Sequence, residues 1–244
     1  MLPWILNFFS GNLTRKTVLF VLIPLIFLSY FGTILFAIFQ FPGIYDWRDS
    51  VISRLISPER NPEFHYLPSF GIAVTGVLMI PFAGYIGRRL RFVGSFGTVI
   101  GTFLFGTGVV CLILAGLVVS GSHRGPLGLA SIHEICARAA ALGIALGQLA
   151  FCSAALQRYL NSGPGKKRFP VRLLISWILL TLGPILGLAV GPCLWLCKYF
   201  RLPGSSQTEQ ALRGSLFWHL ASWEWIGSVA VFLFLLSSAL YLPE

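Results

Sequence analysis

Apolar positions in this chain gather into six long runs, at roughly 17–40, 67–87, 92–120, 130–158, 170–198 and 216–242, separated by short polar or basic connections. Each run is long enough to cross a bilayer as a helix, because about 20 apolar residues at 1.5 Å each span the hydrocarbon core. The run from 130 to 158 is the one on which the reading turns, because His133, Glu134 and Arg138 stand near its start. At about 100° per residue, Glu134, Arg138, Ala141, Ala145, Gln148 and Cys152 share one stripe of that helix. Glu134 and Arg138 are four apart and can pair as ions. Ala139, Gly143, Gly147 and Ala150 form a second stripe of small residues that admits a neighbouring backbone, so this helix is expected to be central in its bundle.

Other runs carry similar signals. Gly71, Gly76, Pro81 and Gly84 punctuate the second, and Gly97, Gly101, Gly106 and Gly108 the third, which suits close packing and would also suit a homo-oligomer through glycine-rich faces. The fifth contains Gly183, Pro184, Gly187, Gly191 and Pro192. Such a pattern reads either as a kinked, tightly packed helix or as an interrupted one that exposes carbonyls to a solute. Between the first two runs lies the longest loop, Phe41 to Tyr66, where Trp47, Val51, Leu55 and Ile56 predict a short amphipathic helix ended by Pro58. Met1 to Thr14 reads as an interfacial segment, and the run after Arg15 and Lys16 as a signal-anchor rather than a cleaved leader.

Composition agrees with this reading. The 244 residues are 56% hydrophobic and 11% charged, with a mean hydropathy of +0.80, whereas soluble domains carry about 25% charged residues. The expected class is all-α, an integral membrane bundle of six transmembrane helices forming a single domain over residues 1–244. The net charge of +10 does not imply nucleic acid, because the basic residues sit in short clusters between apolar runs. Arg15, Lys16, Arg88, Arg89, Arg91, Arg158, Lys166, Lys167, Arg168 and Arg172 fall on one side without an acid among them. The other side mixes Arg48, Arg54, Arg60, Arg124, Lys198, Arg201 and Arg213 with Asp46, Asp49, Glu59, Glu63 and Glu209. The positive-inside rule then predicts both termini in the cytoplasm, the protein in the cell inner or plasma membrane, and loops one, three and five outward. Five cysteines, 111, 136, 152, 193 and 197, lie in apolar runs without a CxxC and read as buried thiols.

On that topology the four histidines, His65, His123, His133 and His219, all lie toward the outer leaflet, with Glu134, Glu224 and Arg138. Imidazoles and carboxylates at one depth suit acid and base chemistry, so His133, Glu134, His219 and Glu224 are the catalytic candidates. Asp49, Ser53, Arg54, Glu63, His65 and Arg138 are the binding candidates, since guanidinium, carboxylate and hydroxyl groups can hold a lipid headgroup. No metal or other cofactor is predicted: there is no HExxH or HxxxH, and His219 and Glu224 point about 140° apart on a helix. A divalent metal on the grouped histidines is the alternative. Cys136, three residues after His133, reads as a packed cysteine ahead of an acyl-transferring thiol.

The segment Asp49 to Ser57, followed by Asn61 to Tyr66 and a glycine-rich span, together with the Ile132 and His133 pair, resembles bacterial six-pass proteins of unknown function distantly related to the Frag/DRAM/Sfk family. The similarity covers residues 45 to 160. It implies a six-helix bundle related to proteins of lipid or glycolipid handling, and only Ser53, Glu63 and His133 carry over; His219 and Glu224 lie outside it.

Three functions follow as expectations, and whether the protein is an enzyme is left open. The first is a polar pocket near the outer leaflet that binds or remodels a lipid or glycolipid headgroup, with membrane lipid as partner. The second is a metal-dependent or acid/base intramembrane hydrolase or transferase, and the third a small-solute transporter.

Overall fold

A computed structural model describes residues 2–48, 50–118, 129–162, 169–200, 215 and 219–243. Its described residues form helices, turns and loops, and six helices are long and apolar enough to cross a membrane. The protein is an integral membrane protein of the all-α class.

A short helix, α1 (Leu2–Phe9), precedes the spans. The spans are α2 (Arg15–Phe39), α3 (Tyr66–Arg89), α4 (Phe96–Leu117), α5 (Leu129–Leu160), α6 (Val171–Tyr199) and α7 (Leu220–Tyr241). The third begins later than the apolar run, because Arg91–Val93 is a 3-10 turn closed by Gly94 at φ 64. Glycine is the residue that adopts this left-handed conformation without a Cβ clash. The sixth begins at Leu220 rather than 216.

Two stretches of α2 widen to π geometry, Val18–Leu22 and Leu28–Gly32. The first leads into Pro24, which has no N–H to give the preceding turn, so a wider turn relieves the missing bond. Within the second, the Thr33 hydroxyl bonds the carbonyls of Ser29 (2.7 Å) and Tyr30 (3.2 Å), drawing acceptors away from the regular ladder. Ser29 also meets Thr75 of α3 at 2.8 Å.

Each helix lies against the next in sequence, and α7 returns to α2. The α4–α5 crossing is the closest, with Gly101 and Gly108 of one helix against Gly147 and Gly143 of the other. The small-residue stripe of α5 therefore does what its spacing predicts. Centrality is different from expectation: α3 is the most enclosed span, because α1, α2 and α4 all cover it, while the Glu134 and Arg138 end of α5 is exposed. The core is aromatic, with fully buried Trp177 packed 4.8 Å from the Phe234 ring and 5.6 Å from Phe169.

The prolines of α6 do not interrupt it. The helix is continuous from Val171 to Tyr199, and Gly187 leaves room for the Trp223 ring, since a Cβ there would fall 1.9 Å from it. The packing matches the tightly packed alternative, and the continuous helix contains no unwound segment of the kind on which a transporter reading leaned.

Both chain ends meet at the basic end. Arg15 bonds the Leu242 carbonyl, and Arg89 reaches the Pro243 carbonyl at 3.4 Å. The longest loop and the start of α7 form the opposite end.

Candidate functional site at the loop-one end

The loop between α2 and α3 is not the amphipathic helix that its apolar spacing predicts. It contains one 3-10 turn, Ile52–Arg54, among turns and extended chain. The reason is where its donors go. A helix through this stretch would spend the Ile52 N–H on the carbonyl four residues back. Instead that N–H donates to Glu224 Oε2 of α7 at 2.8 Å, a partner 172 residues away. Asp46 meanwhile turns back to accept from the Arg48 N–H at 2.9 Å, which favours a turn.

Around that bond the loop is built into the bundle. Ile52 and Leu55 are buried with Ile34 and Ala37, and Tyr45 and Trp225 pack on them. The Tyr45 hydroxyl donates to the Ser50 carbonyl at 2.8 Å, and Arg54 donates to the Ser50 hydroxyl at 3.0 Å. Beneath, the Tyr30 hydroxyl meets Ser228 at 2.8 Å, and Ser228 in turn donates to the Glu224 carbonyl at 2.8 Å. The Glu224 carboxylate is thus held by the Ile52 amide of loop one, the Glu224 backbone carbonyl is tied through Ser228 to Tyr30 of α2, and Tyr45 and Arg54 meet on Ser50 of the same loop. In the first turn of α7, Ser222 is 1% exposed and its hydroxyl has no partner among the described residues.

Burial pushes the Tyr45 phenol up to about 12; Trp225 opposes this, Glu224 adds to it and Arg54 opposes it. A raised value in the fold means that the neutral phenol is favoured there. Its contribution to stability is complete below pH 10, declines as pH rises from 10, and is gone above about 12. Melting temperature is therefore expected to drop more between pH 9 and pH 11.5 in the wild type than in Tyr45→Phe. An equal drop in both proteins would show that this phenol is not the group responsible.

The other candidates lie in separate settings. His133 is buried against the C-terminus of α4, where its Nδ1 meets the carbonyls of Ala115 (2.8 Å) and Val118 (3.1 Å). Both are acceptors, so Nδ1 carries the proton, and the ring serves carbonyls that a helix end leaves unpaired. Glu134 and Arg138 pair with each other as their spacing predicts, with side chains 61% and 78% exposed. His65 Nδ1 turns onto its own loop, near the carbonyls of Asn61 and Pro62. Glu63 is exposed and Ser53 half-buried. His219 occupies the N-cap position of α7. Asp49 and His123 lie outside the described residues. Thus Glu224 and Arg54 are both bonded to loop one, at Ile52 and Ser50, while His65, His133 and the Glu134–Arg138 pair each bond elsewhere.

Among the described residues no three His, Cys, Asp or Glu side chains converge as a metal site would require. Cys136 is a free, half-buried thiol. Sequence reading missed Tyr30, Tyr45 and Ser228 as members of this cluster, because their pairing depends on which helix faces α7. No family model, no curated protein and no solved structure matches this chain.

Proposed function

We propose that this membrane protein binds a lipid or glycolipid headgroup at the rim where loop one meets α7, the rim that the positive-inside rule turns outward. The observation that carries the reading is Glu224: a carboxylate from a membrane span, held by the Ile52 amide of loop one, the same loop in which Arg54 bonds Ser50. Only one of its oxygens takes a protein hydrogen bond among the described residues, and only one nitrogen of Arg54 is engaged. A headgroup offers the matching partners, phosphate for the guanidinium and amine or hydroxyl for the carboxylate. Exposed apolar groups stand around the same rim, Phe39 at 83%, Ile44 at 96% and Trp47 at 46%, as suits contact with the interface of the bilayer. The resemblance read from residues 45 to 160 agrees with lipid handling, and two of the positions it carries over, Ser53 and Glu63, belong to this loop.

The test is the lipid that co-purifies. Wild-type protein is expected to retain one headgroup class above its share of the membrane, and Arg54→Ala to lose roughly fivefold of that enrichment. Arg138→Ala, on the exposed ion pair of α5, is expected to keep it. Identical lipid profiles in wild type and Arg54→Ala by mass spectrometry would end this reading.

A further inference from the structure

A second feature lies at the basic end of the bundle. An open groove of about 960 Å³ runs between the end of α3 and the start of α4, lined by Arg88, Arg91, Ser95, Thr98 and Thr102 and, toward the membrane, by Phe96, Val99 and Phe103. Its lining contains two arginines and no acid.

The polar end of the groove is the N-terminus of α4, and among the described residues its usual partners are missing. Ser95 is the N-cap residue, a type that normally turns its hydroxyl onto the first amides of the helix. Here it makes no capping bond, and its hydroxyl has no partner among the described residues. The Thr98 amide is taken by the Ser95 carbonyl at 3.0 Å, while those of Phe96 and Gly97 take no backbone acceptor. Thr98 gives an independent observation. It lines the groove, is only 7% exposed, and its hydroxyl is likewise unpartnered. Buried hydroxyls in native proteins nearly always have a partner, and a bound anion would supply one to both.

The cations are arranged to match. Arg88 spends Nε and one terminal nitrogen on the carbonyl and hydroxyl of Ser10, which fixes its guanidinium on the wall of the groove. Arg91 is exposed on the 3-10 turn and makes no ion pair or side-chain hydrogen bond among the described residues. Free amides at a helix start, two idle hydroxyls and two guanidinium groups together recognise a phosphate. The apolar side commits the ligand further. Phe96, Val99 and Phe103 are 78%, 66% and 71% exposed in a membrane-spanning helix, so they offer a path for acyl chains directly beneath the phosphate position.

We infer that this groove binds the phosphate of an anionic phospholipid from the leaflet at the basic end. The site is independent of the proposed headgroup site at loop one, since the two share no residue and lie at opposite ends of the spans. Topology supplies a further reason: anionic lipid is concentrated on the cytoplasmic leaflet, to which the positive-inside rule assigns these arginines.

The experiment is native mass spectrometry of the full chain, titrated with phosphatidylglycerol and with phosphatidylcholine of the same acyl chains. Phosphatidylglycerol is expected to bind preferentially. Arg91→Gln, a change at an exposed position that leaves folding intact, is expected to weaken it roughly fivefold, and Thr98→Val to weaken it without removing a charge. Arg60→Gln in loop one is the charge-matched comparison and is expected to leave it unchanged. Equal binding of the two lipids, or equal loss in Arg91→Gln and Arg60→Gln, would overturn the inference. Inorganic phosphate is the third arm: displacement of phosphatidylglycerol at millimolar concentration would assign the site to a free anion and overturn the lipid, whereas retention supports it.

Discussion

Gly108→Leu is expected to lower stability by about 3 kcal/mol or more, the upper range for overpacking, because the added side chain meets backbone rather than a movable group. A Cβ on Gly108 would lie 2.5 Å from the Ile144 nitrogen and 2.9 Å from the Ala140 carbonyl of α5. Neither atom can move without shifting the helix that carries it. In a bilayer the helices are not driven together by water, so van der Waals contact at this crossing carries much of the association energy. Separating α4 from α5 would also strip the cover from Phe105 and Phe151, both fully buried at the same interface. Gly106, two residues away, is the internal comparison, with nothing within 4 Å of its added Cβ. Gly106→Ala is expected to be neutral or to stabilise by up to about 1 kcal/mol, through helix propensity alone. Thermal unfolding in detergent, followed by helical circular dichroism, reads both. Similar melting temperatures for Gly108→Leu and Gly106→Ala would mean that the close crossing is not what holds these helices.

The same crossing shows how far sequence reading reaches. Six spans were legible because the bilayer imposes a length and a polarity that hydropathy reports directly, and the Gly143 and Gly147 stripe was legible because small residues four apart have one common use. The Glu134–Arg138 pair was legible because helical geometry alone decides it. What escaped was decided between elements. His133 stands one residue before Glu134, yet its ring turns to the end of α4 while Glu134 faces outward, and only the neighbour's position separates those outcomes. Loop one carries an apolar spacing that would serve a helix, but the acceptor for its Ile52 amide comes from α7. At the basic end, Arg88 and Arg91 read as topology determinants. Their placement beside Ser95 and Thr98 needed the Gly94 turn, which in the sequence is only a glycine near the start of the third apolar run.

Glu224→Ala is expected to cost about 2 kcal/mol, and the loss should appear first in loop one rather than in the bundle. Removing the carboxylate leaves the Ile52 amide without its acceptor in a buried setting, a penalty of about 1–3 kcal/mol for such a group. An opposing effect keeps the estimate from the top of that range: a carboxylate withdrawn from water carries its own desolvation cost, which alanine relieves. Glu224→Gln separates the two. Its amide oxygen still accepts from Ile52 and its charge is gone, so it is expected to stay within about 1 kcal/mol of wild type. The local readout is hydrogen exchange at the Ile52 amide, together with tryptic cleavage after Arg48 and Arg54, both exposed on the loop. In Glu224→Ala that amide is expected to exchange faster and the loop to be cut sooner, while amides at the α4–α5 crossing keep their protection. Unchanged exchange at Ile52 in the alanine variant would show that the contact between α7 and loop one does not hold the loop in place. The tie would then be apolar, through Ile52 and Leu55 against Ile34 and Ala37, and the carboxylate would be free of any structural duty at the rim.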